Sequence, residues 1–158
     1  MVDSEARLPR GRIRFVAFDV DGTLLRGDSI CMGIAKGIGR VDRMSELEAG
    51  HILTDVERGP AEIGSWYLPL GRAAVESHLA NLTIAPGADE GCELLREAGI
   101  DLGLVSVTWK FGVDLFAARF GASSVAATGL DWKTGEVDRF GPDDKAPWLM
   151  AYMTTHGL

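Results

Sequence analysis

The hydrophobic residues of this chain are concentrated in three short apolar runs, each of which could form a buried β-strand. These runs cover residues 13–18, 101–106 and 123–127. Two amphipathic segments with helical spacing, residues 88–98 and 109–119, precede the second and third runs, and a glycine ends each of them. Strands that alternate with helices in this way predict an α/β fold with a parallel sheet flanked by helices.

A long stretch between the first two apolar runs is predicted to be entirely helical. Its four helical segments are expected over residues 33–38, 42–57, 61–68 and 72–81. Asp28 or Ser29 is the predicted N-cap of the first helix, because short oxygen-bearing side chains satisfy free amides there. Gly59 and Pro60 are expected to break the second helix. The pattern therefore predicts an all-helical insert over residues 29–82.

The end of the chain changes from an alternating pattern to a helical one. Residues 128–140 predict a β-hairpin around a turn at residues 131–135. A final helix is expected over about residues 144–155, with Gly157 as its C-cap. The predicted organisation comprises a mobile tail at residues 1–12, a core formed by residues 13–28 and 83–158, and the helical insert at residues 29–82.

Composition and charge restrict the possible partners. The chain has 158 residues, a net charge of −7 and a pI near 4.9. An acidic chain disfavours nucleic acid and anionic membranes as partners, since both require a basic face. No apolar run approaches membrane-spanning length, which predicts a cytoplasmic protein. Cys31 and Cys92 form neither a disulfide framework nor a zinc motif, and we interpret both as free thiols.

Two acidic residues directly follow the first apolar run. Asp19 and Asp21 stand at positions i and i+2 in the sequence Asp-Val-Asp-Gly-Thr. Two like charges held this close are costly unless a cation or substrate shares them, and magnesium with phosphate would do so. An EF-hand loop requires glycine at its sixth position and glutamate at its twelfth. Here Gly22 is fourth and Ile30 is twelfth, which excludes that interpretation.

This first motif resembles that of the haloacid dehalogenase superfamily of phosphatases, in which an apolar strand is followed by Asp-x-Asp-Gly-Thr. Ser106, at the end of the second apolar run, is similar to the second motif, and Lys145 is similar to the third. The spacing beyond Pro86 resembles the phosphoserine phosphatase branch. The resemblance implies a Rossmann-like sheet, with the helical insert as a small cap. The fourth motif, an acidic pair after a further strand, is not found up to Leu158, so the C-terminal strands of the fold are expected to be missing.

The resemblance implies a role for each matched residue. Asp19 would be the nucleophile that forms an aspartyl-phosphate, and Asp21 would be the general acid and base. Both would hold Mg²⁺, Asp19 by its carboxylate and Asp21 by its main-chain carbonyl. Ser106 and Lys145 would contact the transferring phosphoryl group. The implied substrate-binding residues are Gly22, Thr23, Asp28 and Val107.

Several of these residues have an ordinary structural alternative. Ser106 could instead cap the following helix, a role that Thr108 could also fill. A lysine in the first turn of a helix is commonly just solvated. Asp143 and Asp144 are interpreted as caps of the final helix.

Two functions remain open from the sequence. The first is magnesium-dependent hydrolysis of a small phosphomonoester, similar to phosphoserine. The alternative is a truncated or non-catalytic chain of the same fold that binds phosphate or metal with little turnover. In either case the apolar strand at residues 15–18 is expected at a sheet edge, where it could pair with a second copy to give a homo-oligomer.

Overall fold

The computed structural model describes residues 13–50 and 58–158. Within them the chain has the predicted α/β fold, a sheet flanked by helices. The strands are β1 (Phe15–Phe18), β2 (Leu25–Arg26), β3 (Thr83–Ile84), β4 (Asp101–Trp109), β5 (Ser124–Leu130) and β6 (Val137–Asp138). The main sheet has the order β1-β4-β5-β6. The first three of these are parallel, and β6 is antiparallel to β5, as expected of a terminal hairpin. The predicted parallel sheet with a hairpin is confirmed.

In the described part of the chain, seven α-helices surround the sheet or form the insert. They are α1 (Ile30–Ile38), α2 (Val41–Ala49), α3 (Arg58–Tyr67), α4 (Arg72–Ser77), α5 (Ala88–Glu97), α6 (Lys110–Phe120) and α7 (Lys145–Thr155). Short 3₁₀ turns follow α4 at His78–Asn81 and precede α7 at Pro142–Asp144. All described helices that flank the sheet lie where the sequence pattern predicts them.

The helical insert departs from the prediction at the junction between α2 and α3. The predicted helix over residues 42–57 ends at Ala49, with Gly50 as its C-cap, and residues 51–57 lie outside the described part of the chain. Gly59 and Pro60 do not break a helix but lie in the first turn of α3. Proline is tolerated there because amides of the first turn have no partner within the helix. The first helix, in contrast, begins as predicted at Ser29, whose hydroxyl accepts from the Met32 N–H at 3.0 Å.

A feature absent from the sequence prediction joins the core to the insert. β2 and β3 pair antiparallel, with Leu25 opposite Ile84 and Arg26 opposite Thr83. The Ala85 N–H extends this contact to the Leu24 carbonyl at 2.8 Å. These two-residue strands hold together the connections that enter and leave the predicted cap. They were missed because two residues are too few to give a periodic signal.

The strands near the sheet's carboxyl edge are longer than predicted. β4 extends to Trp109 rather than residue 106, and β5 extends to Leu130 rather than residue 127. As a result the hairpin begins later, and its return strand is only Val137–Asp138. At the far end, His156 is the C-cap of α7 and Gly157 follows it with a φ of 63°.

One hydrophobic core is shared by the sheet and the helical insert. Leu102 and Leu104 of β4 are buried together with Ile30 and Ile34 of α1. From the insert, Tyr67 is fully buried, and its ring lies edge-on to Trp109, with 5.7 Å between the centroids. Burial of these aromatic and aliphatic side chains is the main stabilising contribution that seats the insert on the sheet.

β1 lies at the edge of the main sheet. Among residues 13–50 and 58–158 it pairs with β4 alone, in the register Phe15 to Asp101 and Phe18 to Leu104. The final helix packs beside it, with 4.8 Å between the ring centroids of Phe15 and Tyr152. No helix in the described parts of the chain is both long and apolar enough to cross a membrane.

Candidate active site

The two acidic residues of the first motif lie directly after β1, at the carboxyl edge of the parallel sheet. Asp19 ends the strand, and its Oδ1 accepts from the Val20 N–H at 2.9 Å. The chain then turns sharply through Val20–Leu24, where Gly22 has a φ of 77°. A side chain other than glycine would be strained in this conformation. The turn leaves the Asp19 carboxylate partly exposed, with 43% of its side chain accessible.

Lys145 is brought to Asp19 across more than a hundred residues of sequence. As the first residue of α7, it places its Nζ 3.2 Å from Asp19 Oδ1. The turn before it is closed by Asp144, whose Oδ2 accepts from the Gly141 N–H at 2.7 Å. Asp144 makes no capping bond to the amides of α7, so its predicted capping role applies to the 3₁₀ turn rather than to the helix. Lys145 is therefore an ion-pair partner of the first motif.

Asp21 occupies a different environment from Asp19 although only Val20 separates them. Its Oδ1 accepts from the Ile30 N–H at 2.9 Å, which anchors it to the start of α1. Burial raises its pKa from 3.8 to about 6, and the charges of Asp19 and Glu48 act in the same direction. The bonds from Ile30 and from the Thr108 side chain lower the pKa, but burial has the larger effect. Asp21 can thus carry a proton near neutral pH.

Ser106 is buried in β4 on the same edge of the sheet. Phe18 is level with Leu104, so Ser106 stands two positions further along β4, level with the turn that follows β1. Its side chain is 1% exposed, and its Oγ lies 3.5 Å from the Thr108 N–H. Helix α6 begins only at Lys110, and its N-cap makes no side-chain bond. The alternative of Ser106 or Thr108 as a helix cap is therefore wrong.

The four residues predicted to bind substrate lie in different surroundings. Gly22 and Thr23 lie exposed in the turn that carries Asp21. Val107 is 45% exposed next to Ser106, and its carbonyl accepts from the Thr128 hydroxyl at 2.9 Å. Asp28 instead forms an ion pair with Lys36, at 2.6 Å between Oδ2 and Nζ. Its charge is thus balanced by Lys36 of α1 rather than by Lys145.

The structure adds residues that the sequence did not single out as part of the site. Glu48 of α2 accepts from the Ser29 hydroxyl at 2.8 Å and raises the pKa of Asp21. The Cys31 sulfur lies 3.6 Å from Thr108 Oγ1, and burial raises the pKa of this thiol to about 12. Both residues come from the insert, and no linear spacing connects them to the first motif.

The oxygen donors of Asp19 and Asp21 fit a magnesium ion. Mg²⁺ is held by one or two carboxylates together with water and phosphate oxygens, and rarely by a complete protein cage. Within residues 13–50 and 58–158 there is no group of three histidine, cysteine or acidic residues able to hold a metal. A magnesium ion here would accordingly depend on these two residues and on the substrate.

A family comparison covers the residues of this candidate site. The model of the haloacid dehalogenase-like hydrolases matches residues 16–158, which include both acidic residues, Ser106 and Lys145. The chain belongs to this family. No functionally curated protein matches the sequence.

Solved structures show the same fold at low sequence identity. A phosphoserine phosphatase described as a phospho-aspartyl intermediate analogue has a TM-score of 0.75 and 21% identity, covering 93% of this chain and 74% of that one. A substrate-bound phosphoserine phosphatase has a TM-score of 0.76 and 20% identity, and the match covers 93% of this chain and 73% of that one. A haloacid dehalogenase family hydrolase from Salmonella enterica serovar Typhi has a TM-score of 0.77 and 12% identity, covering 95% and 55%. The family and the Rossmann-like α/β fold inferred from the motifs are confirmed.

Proposed function

We propose that this protein is a magnesium-dependent phosphatase that hydrolyses a small phosphomonoester through an aspartyl-phosphate, an acyl phosphate on Asp19. The observation that carries the proposal is the pairing of two unlike carboxylates. Asp19 is accessible and lies 3.2 Å from the Lys145 ammonium, whereas Asp21 is partly buried and its pKa is raised to about 6. One carboxylate is suited to attack phosphorus and the other to transfer a proton.

In the first step, an oxygen of Asp19 attacks phosphorus in line with the leaving group. The bond from phosphorus to the ester oxygen breaks, and Asp21 gives its proton to that oxygen, so that a neutral alcohol departs. Lys145 would stabilise the negative charge on the phosphoryl oxygens, and the Ser106 hydroxyl would donate to one of them. Bound Mg²⁺ would offset the remaining phosphate charge, with Asp19 and Asp21 as its protein ligands.

In the second step, water attacks the same phosphorus atom. Asp21, now a carboxylate, takes a proton from that water, and the bond between phosphorus and the Asp19 oxygen breaks. Inorganic phosphate and the free Asp19 carboxylate are released, and Asp21 is again protonated. A pKa near 6 suits both directions of transfer, because a catalytic acid and base works best when its pKa is close to the working pH.

The substrate class proposed is a small, phosphoserine-like monoester. The insert packs onto the sheet through Tyr67 and Trp109, and its first helix contacts Asp21 through the Ile30 N–H, so it would restrict the space beside the site. Two of the similar structures are of phosphoserine phosphatases, which supports an amino-acid phosphate. The free thiols Cys31 and Cys92 support a reducing compartment, and we propose a cytoplasmic location.

The nucleophile can be tested by substitution with a matched control. Asp19→Asn should reduce hydrolysis of phosphoserine and of p-nitrophenyl phosphate by about a thousandfold or more, because the residues of the site act as a unit. Asp101→Asn changes an exposed aspartate at the opposite end of β4 and should keep the wild-type rate. Trapping with labelled phosphoester should place the label on Asp19. Equal rates for Asp19→Asn and wild type would refute the proposal.

A second candidate is a chain that binds phosphate and metal with little turnover. The absence of a three-ligand metal group from the described residues favours it. It predicts that beryllofluoride and Mg²⁺ bind together at Asp19, detectable by ¹⁹F NMR, while no phosphoester is hydrolysed faster than by the Asp19→Asn control.

A further inference from the structure

The hydroxyl of Thr128 is a buried polar group that the proposed chemistry does not use. Thr128 lies in β5 and is 4% exposed. Its Oγ1 contacts three main-chain groups on two other segments. These are the Val107 carbonyl of β4 at 2.9 Å, and the N–H and carbonyl of Phe140 at 3.1 Å and 3.2 Å. One of these segments contains Ser106, and the other leads to Lys145.

The single proton of the hydroxyl limits how these contacts are arranged. The Thr128 oxygen accepts from the Phe140 N–H, and its own proton can be donated to one carbonyl at a time. The Val107 carbonyl is the nearer acceptor, at 2.9 Å against 3.2 Å for that of Phe140. The bonds therefore run from the Phe140 amide through Thr128 to Val107, so that one side chain ties β4 to the segment after β6.

β4 departs from regular pairing with β5 at the point where Thr128 holds it. The two strands are in register at Val105 and again at Trp109, but three residues of β4 lie between these pairs and only Ala127 of β5 lies opposite. This bulge contains Ser106, and the carbonyl that Thr128 bonds belongs to the next residue. A bulge disrupts the ladder locally and re-aims side chains. The hydroxyl thus restrains β4 beside Ser106.

On its other side, Thr128 holds the start of the turn that carries Lys145. Phe140 follows the end of β6, so its bond to Thr128 continues the attachment of this segment to β5. The next residues form the 3₁₀ turn that Asp144 closes through the Gly141 N–H at 2.7 Å. The turn ends at Lys145, whose Nζ lies 3.2 Å from the first carboxylate of the acidic pair. An anchor at Phe140 therefore bears on the position of the lysine.

We propose that Thr128 is a positioning residue that fixes Ser106 and Lys145 relative to each other. This inference rests on the proposed phosphatase function, in which these two groups contact the transferring phosphoryl group. Thr128 itself touches no reacting atom. Misplacing a catalytic group by about 1 Å can reduce the rate on the order of a hundredfold. Loss of the hydroxyl should therefore slow the reaction although every group of the site is still present.

Substitution of Thr128 separates the hydroxyl from the volume of the side chain. Thr128→Val removes the hydroxyl at nearly constant volume and should lower kcat for p-nitrophenyl phosphate by about tenfold or more. The loss should be similar for phosphoserine, because both esters present the same phosphoryl group. Thr128→Ser keeps the hydroxyl and should stay within about threefold of the wild-type rate.

Ser123→Ala is the matched control for a lost hydroxyl between the same two strands. The Ser123 hydroxyl also donates to a β4 carbonyl, that of Leu102 at 3.2 Å, but near the opposite end of the strand. Its removal should leave kcat within about twofold of wild type. A loss as large as that of Thr128→Val would show that any weakening of this strand pair slows the enzyme, and would refute a specific role for Thr128.

A double substitution tests whether the loss passes through Lys145. In a chain that already carries Lys145→Met, the further change Thr128→Val should cost less than about threefold, because one of the two positioned groups is gone. An equal loss in both backgrounds, or no loss in either, refutes the positioning role and leaves the phosphatase function standing. If wild type hydrolyses neither ester faster than Asp19→Asn, the phosphatase function itself fails.

A spectroscopic readout tests the positioning role in an active or an inactive chain. The side-chain ¹³Cε resonance of Lys145, assigned by its disappearance in Lys145→Met, should shift in Thr128→Val and return towards its wild-type position in Thr128→Ser. It should not move in Ser123→Ala. A Lys145 resonance unmoved by Thr128→Val would show that the hydroxyl does not position this lysine, and would overturn the inference whatever the activity.

Discussion

At the scale of single residues, the site depends on giving two neighbouring carboxylates different surroundings. Asp19 is accessible and paired with Lys145, whereas Asp21 is withdrawn beneath the start of α1. Because burial opposes ionisation, the pKa of Asp21 rises to about 6 despite the donors around it. This arrangement suits proton transfer but has a cost for the stability of the fold.

We predict that Asp21→Asn stabilises the protein at neutral pH. The folded chain binds the Asp21 proton more tightly than the unfolded chain, whose pKa is 3.8. The free energy of unfolding therefore falls as pH rises from about 4 to about 6, by about 3 kcal/mol in total. Asparagine carries no charge and can still accept from Ile30, so the variant should gain on the order of 1–3 kcal/mol at pH 7.5 and nothing below about pH 4.

Urea unfolding across this pH range, in EDTA, measures the difference. Asp101→Asn, an exposed carboxylate far from the site, provides the control and should follow the wild-type pH curve. An Asp21→Asn curve parallel to wild type from pH 4 to 7.5 would contradict the burial of an ionisable group at this position.

At the scale of elements, the first helix of the insert and the helix that follows β4 meet at one close approach. Gly112 of α6 is buried against α1, where an added Cβ would lie 2.9 Å from the Ile30 methyl group and 3.3 Å from Leu79. Ile30 is itself fully buried and supplies the amide that holds Asp21. The packing of α6 against α1 therefore sets the position of the acid.

Two glycine-to-alanine substitutions in helices should have opposite effects. Gly112→Ala should lower the free energy of unfolding by about 1–3 kcal/mol, since overpacking outweighs the gain in helix propensity. Gly91→Ala in α5 meets nothing within 4 Å of the new Cβ and should raise it by about 0.5–1 kcal/mol. Urea denaturation of both variants measures these changes. A higher free energy of unfolding for Gly112→Ala would show that α1 shifts readily to make room for the new methyl group.

At the scale of the whole molecule, β1 leads directly into Asp19 and is an edge strand of the sheet formed by residues 13–50 and 58–158. The Arg14 carbonyl accepts from the Asp101 N–H, so the alternate residues Phe15 and Ala17 direct their backbone groups away from β4. Helix α7 contacts the ring of Phe15, and Arg14 bonds the Gly157 carbonyl, but neither contact supplies a paired strand. An unpaired apolar strand is a template for association.

We predict that the chain self-associates through this edge. Amide hydrogen exchange at Phe15 and Ala17 should slow as protein concentration rises, because the outward amides become bonded in the oligomer. The amides of Val16 and Phe18 point towards β4 and should be protected at every concentration, which provides an internal control. Sedimentation should show a dimer or larger species over the same range. A monomer at high concentration with exchange unchanged at Phe15 would refute the prediction.

The sequence by itself determined the parallel sheet, the positions of most helices and the acidic pair of the first motif. These follow from local patterns, since apolar runs, caps and glycines act over a few residues. Asp19 and Asp21 could be found because both carboxylates follow one apolar strand. Lys145 could be assigned only by resemblance, because a lysine at a helix start has no distinctive local signal.

Only the tertiary structure decided which side chains face these residues. Two of these contacts join segments distant in sequence: Lys145 lies 3.2 Å from Asp19, and Cys31 lies 3.6 Å from Thr108. A third, between Asp28 and Lys36, depends on how α1 directs the lysine side chain. The pKa of Asp21 depends on how much water the packed insert removes, which no local pattern encodes. Local sequence fixes where the chain bends, whereas burial and long-range contacts depend on how all the elements pack together.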